Sequence, residues 1–198
     1  MILPIVAYGD PVLKKEAEEI EKDYPELNTL IADMFETMYE ASGVGLAAPQ
    51  INKSIRLFVV DATPFAEKDE EDDEDDPLAE GCDGFKRVFI NPIIEEEEGT
   101  KWGFHEGCLS IPKIREEVFR KPKIRMTYYD EKWQFHDEWF EGYQARIIQH
   151  EYDHVEGILF TDHLSVLKKR MLIKRLQNIS QGLISVAYKM KFPIIKKR

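Results

Sequence analysis

The chain has 198 residues, 43% apolar and 33% charged, enough for one domain with its own core. A formal charge of −11 argues against general nucleic-acid affinity, so no DNA partner is expected. No apolar run is long enough to cross a bilayer, Pro4 interrupts a start that lacks a basic stretch, and two cysteines mark no secreted scaffold; a cytoplasmic protein with no membrane partner is expected.

Residues 2–7 read as a short strand or extended arm. Asp10 and Pro11 open a brief helix, as N-cap and first helical residue. From 25 to 41, Leu27, Leu30, Ile31, Met34, Phe35, Met38 and Tyr39 recur at helical spacing, and Ser42-Gly43 ends the helix. Residues 55–61 are apolar and β-branched, a buried strand. Residues 63–84 form an acidic insertion, nearly continuous in charge from 67 to 76, and read as a mobile surface loop with Cys82 a bystander.

Residues 86–91 predict a strand stopped at Pro92, and 93–101 an exposed strand and turn. Cys108 falls in a stretch that reads as neither helix nor regular strand, and Val118 and Phe119 as a short strand. Residues 123–129 and 133–140 predict a hairpin. A helix follows between Gly142 and Gly157, and another from about 164 to 180. Ile184, Val186, Tyr188 and Met190 then alternate with Leu183, Ser185, Ala187 and Lys189, which predicts a closing strand. The fold class expected is α+β, short antiparallel strands packed around a central buried helix.

That helix carries the chemistry. His150 and His154 are four apart, one turn above each other on one face, and Glu151 follows the first. Two imidazoles at this spacing hold one metal ion, with a carboxylate beside its water. A catalytic site usually has a third protein ligand. Cys108, His105, His136, His163 and several carboxylates are open candidates.

Gly43-Val44-Gly45-Leu46-Ala47-Ala48-Pro49-Gln50, Glu106-Gly107-Cys108-Leu109-Ser110 and Gln149-His150-Glu151-Tyr152-Asp153-His154 resemble, in order, the three motifs of bacterial peptide deformylases. Tyr8-Gly9-Asp10-Pro11-Val12-Leu13, Asn91-Pro92 and Gly157-Ile158-Leu159-Phe160 look familial too. The resemblance implies a single catalytic domain over residues 1–198. It implies a metal held by Cys108, His150 and His154, Fe2+ before Zn2+ or Ni2+; a thiolate with two imidazoles suits such an ion. It implies that metal-bound hydroxide, with Glu151 as general acid and base, removes the formyl group from N-formylmethionyl nascent peptides and releases formate. Gln50 and the Leu109 N–H would hold the oxyanion. The backbone at Val44, Gly45 and Leu46 would pair with the peptide, beside Glu106 and Gly107. Phe104, Tyr143 and Ile147 are candidates for the methionine pocket, and Glu106, Arg115 and Arg120 for a supporting charge network.

Residues 164–198 hold no carboxylate and gather Lys168, Lys169, Arg170, Lys174, Arg175, Lys189, Lys191, Lys196, Lys197 and Arg198. This basic helix and strand is read as a possible ribosome contact. Leu167, Met171, Leu172, Leu176 and Ile179 form an apolar stripe expected to pack on the core. Two other readings share the histidine pair. A zincin-type endopeptidase would recruit a downstream third ligand, and a structural metal site in a ribosome-associated binding module would need a fourth.

Overall fold

The computed structural model describes residues 1–67 and 76–193. It mixes helices and sheets. β2 (Gly45–Ala47), β3 (Leu57–Asp61), β4 (Lys86–Glu98), β7 (Lys123–Tyr129) and β8 (Phe135–Glu141) form one antiparallel sheet in the order β2-β3-β4-β7-β8. β5 (Trp102–Cys108) and β6 (Ile111–Arg120) make a separate antiparallel hairpin. β1 (Ile5–Val6) pairs in parallel with β9 (Met190–Lys191).

Both faces of the large sheet are covered. In β3, Leu57 and Val59 face one way, toward Met34 and Met38 of α1 (Leu27–Glu40). Phe58 and Val60 face the other, toward Ala145 and Ile148 of α2 (Gly142–Val155). A strand buried on both faces reads as a continuous apolar run, which is why 55–61 was recognisable. Under α2, Phe58 stacks on Phe89 with ring centroids 4.7 Å apart, and Phe89 meets Tyr128 at 4.5 Å. Full burial of such a ring contributes about 1.5–3 kcal/mol. A third cluster joins the β5–β6 hairpin to Leu172, Leu176 and Ile179 of α3 (Val166–Ser180).

Gly142 fixes where α2 starts. Its φ is +55°, and an added Cβ would lie 2.3 Å from the Leu78 carbonyl oxygen. Only glycine serves there.

Several expectations need correction. Two strands are long: β4 runs through Pro92 and β6 starts at Ile111. Pro92 does not end β4, because a register shift between Ile90 and Ile93 absorbs its missing N–H. The shift is pinned by Asn91, whose side chain accepts from the Ile20 N–H and donates to the Ile20 carbonyl. Cys108 is the last residue of β5, at a register shift of the β5–β6 hairpin. Residues 68–75 of the acidic insertion lie outside the described residues, but its flanks do pack. Cys82 is fully buried in the core beneath α2, the Tyr143 hydroxyl donates to Asp76, and the Gln144 amide donates to Gly81 O. Leu167 and Met171 are 69% and 73% exposed, so only the other three residues of the α3 stripe reach the core. The closing strand is reduced to the pair Met190 and Lys191, although 183–190 alternate in burial as expected.

Candidate active site

α2 and the end of β5 bring the candidate ligands together. The Cys108 sulfur lies 3.3 Å from His154 Nε2, and one donor atom from each of Cys108, His150 and His154 falls within 4.8 Å of the others. Two donors on one tetrahedral ion, with bonds of about 2.0–2.3 Å, sit roughly 3.5 Å apart, so the donor set fits a single ion. Burial opposes ionisation of the Cys108 thiol, but the neighbouring His154 and His150 outweigh it and bring it down to about 5. The sulfur is thus ready to bind as thiolate.

His150 is oriented from behind. Its Nδ1 lies 2.9 Å from Glu106 Oε2. Glu106 is buried and also accepts from Arg120 at 2.7 and 3.0 Å and from Arg146 at 3.0 Å. Burial alone would raise its pKa, but His150 and Arg120 hold the carboxyl well below the usual range. Arg120 continues to Asp153, which meets His163. Arg115 stays outside this network; it is exposed and donates to the His105 carbonyl.

Glu151 is 4% exposed, and its Oε2 has no hydrogen-bond partner among the described residues. Burial pushes its pKa up to about 7, against the pull of the two histidines. A buried oxygen without a partner is costly unless another group meets it. Gly45 makes room for this carboxylate, since a Cβ there would lie 2.3 Å from Glu151 Oε1. Gln50 Oε1 accepts from the Ala47 N–H at 2.9 Å, which turns the amide NH2 toward Cys108 and Ser110.

A cavity of about 600 Å³ opens over these groups. Val44, Gly45, Gln50, Phe104, Glu106, Gly107, Leu109 and Ile147 line it together with Cys108, His150 and Glu151. Leu46 and Tyr143 do not. The Leu46 side chain is buried in the α1 cluster, and Tyr143 packs behind the rim, 4.7 Å from Phe65 and 5.6 Å from Phe104 between ring centroids. β2 is an edge strand, so one side of its backbone faces away from β3.

A family profile described as polypeptide deformylase matches residues 2–170. The chain belongs to that family. It is 57% identical over 197 residues to the peptide deformylase of Christiangramia forsetii, covering 100% of this chain and 99% of that one. Identity to the peptide deformylase of Flavobacterium johnsoniae is 56%, with 100% and 99% covered. Among solved structures, the Legionella pneumophila peptide deformylase superposes with a TM-score of 0.76 at 37% identity, covering 92% of this chain and 98% of that one. The Ehrlichia chaffeensis peptide deformylase gives 0.78 at 32%, covering 93% and 100%.

The chain is therefore a hydrolase of the peptide deformylase family, which is metal-dependent, and Cys108, His150 and His154 form a possible metal site. No helix among the described residues is long and apolar enough to cross a membrane. Sequence reasoning missed Phe65, Arg146 and Tyr188, which also line the cavity. Arg146 was within reach: it lies four residues before His150, on the same face of α2. Phe65 and Tyr188 come from distant chain segments and left no local signal.

Proposed function

We propose that this peptide deformylase-family hydrolase removes the formyl group from the N-terminal formylmethionine of nascent polypeptides and releases formate. One observation carries the reading: three donors of a thiolate–imidazole set converge beside a buried carboxylate whose Oε2 has no hydrogen-bond partner among the described residues.

Cys108, His150 and His154 would hold a divalent ion, Fe2+ before Zn2+ or Ni2+. Such an ion would supply Lewis acidity and lower the pKa of a water toward about 7. Glu151 takes the proton of the attacking water at its carboxylate and gives it to the departing amine; help of this kind is worth about 10²–10⁴-fold. The Gln50 NH2 and the Leu109 N–H receive the carbonyl oxygen as it gains charge, and one such donor is worth roughly 3–4 kcal/mol. The peptide lies along the free edge of β2 and hydrogen-bonds to the backbone around Val44, Gly45 and Leu46. Phe104 and Ile147, with Phe65, form an apolar wall for methionine, and Tyr143 backs it. Glu106 and Gly107 lie along the same cavity. The formyl carbon bears only hydrogen, so a tight site excludes acetyl by contact.

In this reading residues 1–198 form one catalytic domain, with strands packed around α2, working in the cytoplasm where nascent chains emerge. The cations of α3 face a ribosome surface rich in phosphate, with Lys168, Lys169 and Lys174 as the contact. Lys196, Lys197 and Arg198 lie outside the described residues. Formate release from a formyl-Met peptide by the metal-loaded enzyme tests the proposal. An intact formyl peptide, or cleavage at an internal peptide bond as a zincin would make, sinks it.

A further inference from the structure

Leu109 and Ser110 form the turn that follows Cys108, so their orientation sets where both the sulfur and the Leu109 N–H point. Distant parts of the chain hold this turn. The Tyr8 N–H donates to the Ser110 carbonyl at 2.8 Å, and Gln50 Nε2 donates to Ser110 Oγ at 3.3 Å. The Leu109 side chain sits against Gly43, where an added Cβ would lie 2.8 Å from Leu109 Cδ1. The remaining hold comes from far down the chain: the Tyr188 hydroxyl donates to the Leu109 carbonyl at 2.7 Å.

Tyr188 lies beyond residue 170, where the family profile stops. Its segment is nevertheless tied down. The Ile5 N–H donates to Lys189 O and the Ala7 N–H to Lys191 O, both at 2.9 Å. Val186, Ala187 and Tyr188 form one wall of the cavity. Burial, with the Cys108 sulfur nearby, holds the phenol's pKa well above its usual value, so the hydroxyl stays a donor. The N–H and carbonyl of Leu109 share one Cα. With the carbonyl held by Tyr188 and the next residue by Tyr8, the turn has little freedom left.

We propose that Tyr188 is a positioning residue for the reaction: its hydrogen bond to the Leu109 carbonyl fixes the 109–110 turn so that the Leu109 N–H meets the developing oxyanion. This rests on the deformylase reading above. Tyr188 touches neither substrate nor ion in this role; it acts through Leu109.

The test uses the full-length, metal-loaded enzyme and its Tyr188→Phe variant, which keeps the ring and removes only the hydroxyl. With a formyl-Met dipeptide, kcat should fall about three- to tenfold, the worth of one neutral hydrogen bond. KM should stay within about twofold, because the loss falls on the transition state. Metal content should match the wild type, and amide exchange in residues 108–111 should quicken. Unchanged kcat per bound metal overturns the role, including the case where only Tm falls, which marks a merely structural hydroxyl. Unchanged exchange at 108–111 overturns it as well. A wild type that releases no formate overturns the deformylase reading and this role with it, whereas an active wild type matched by Tyr188→Phe overturns this role alone.

Discussion

Glu106 Oε2 accepts from His150 Nδ1 at 2.9 Å, and this one contact decides which histidine nitrogen faces the cavity. A carboxylate can only accept, so the ring proton stays on Nδ1 and the Nε2 lone pair is left toward Cys108. Replacing Glu106 by Gln should weaken metal binding about 10- to 100-fold, as for other partners that orient a ligating histidine. Competition against a chelator measures it. The same change leaves buried Arg120 and Arg146 facing a neutral amide, so denaturant unfolding should show a loss of about 3–5 kcal/mol.

Glu151→Gln and Cys108→Ala should separate proton transfer from ligation. The first keeps the metal and lowers kcat by about 10²–10⁴-fold. The second loses most of the metal. Metal analysis beside formate assays reads both; retention of metal by Cys108→Ala would favour a different third ligand.

Gly45→Ala tests the close approach of β2 to α2. The new methyl would sit 2.3 Å from Glu151 Oε1, so the carboxylate must move. A misplacement of about 1 Å can cost roughly 10²-fold in rate. We expect that loss in kcat, with metal content unchanged and a small change in Tm. Wild-type kcat would show that the carboxylate has slack.

Neutralising Lys168, Lys169 and Lys174 should reduce cosedimentation with ribosomes, most visibly at low salt, since exposed charges are screened over about 8 Å at physiological ionic strength. Two of these cations already have partners: Lys168 lies 3.3 Å from Glu116, and Lys169 donates to Asp162 O. Turnover of a free formyl-Met dipeptide should stay within about twofold. Ribosome binding equal to wild type in low salt would remove α3 as the contact.

The helices were legible because their signal is local. The α1 stripe and the two histidines of α2 repeat within a few residues, and the structure buries Leu27, Leu30, Ile31, Met34, Phe35 and Met38 as spaced, while Tyr39 stays 46% exposed. Strand pairing was harder. β5 mixes Gly103, Gly107, His105 and Glu106 among its aromatics, so no alternation marked it as a strand. The continuation of β4 through Pro92 depends on Asn91 reaching Ile20, a contact with no local trace. In the charge network, Glu106 and Arg120 were foreseen as partners, but Arg115 was not separable from them by pattern alone. Strand β6 alternates its residues, and only the fold tells which side of the hairpin meets α2.

The parallel pairing of β1 with β9 sets an order of events in the birth of this protein. Ile5 leaves the ribosome long before its partner Met190. A contact between such distant residues must wait until the chain between them has been made, and closing so long a loop is slow. The helix with its histidines can form well before then, because its contacts lie nearer in sequence. An unfinished chain therefore gathers its donors while one wall of its cleft is still missing. That wall closes only when the segment around Val186 to Lys191 folds back over Ile5 and Val6.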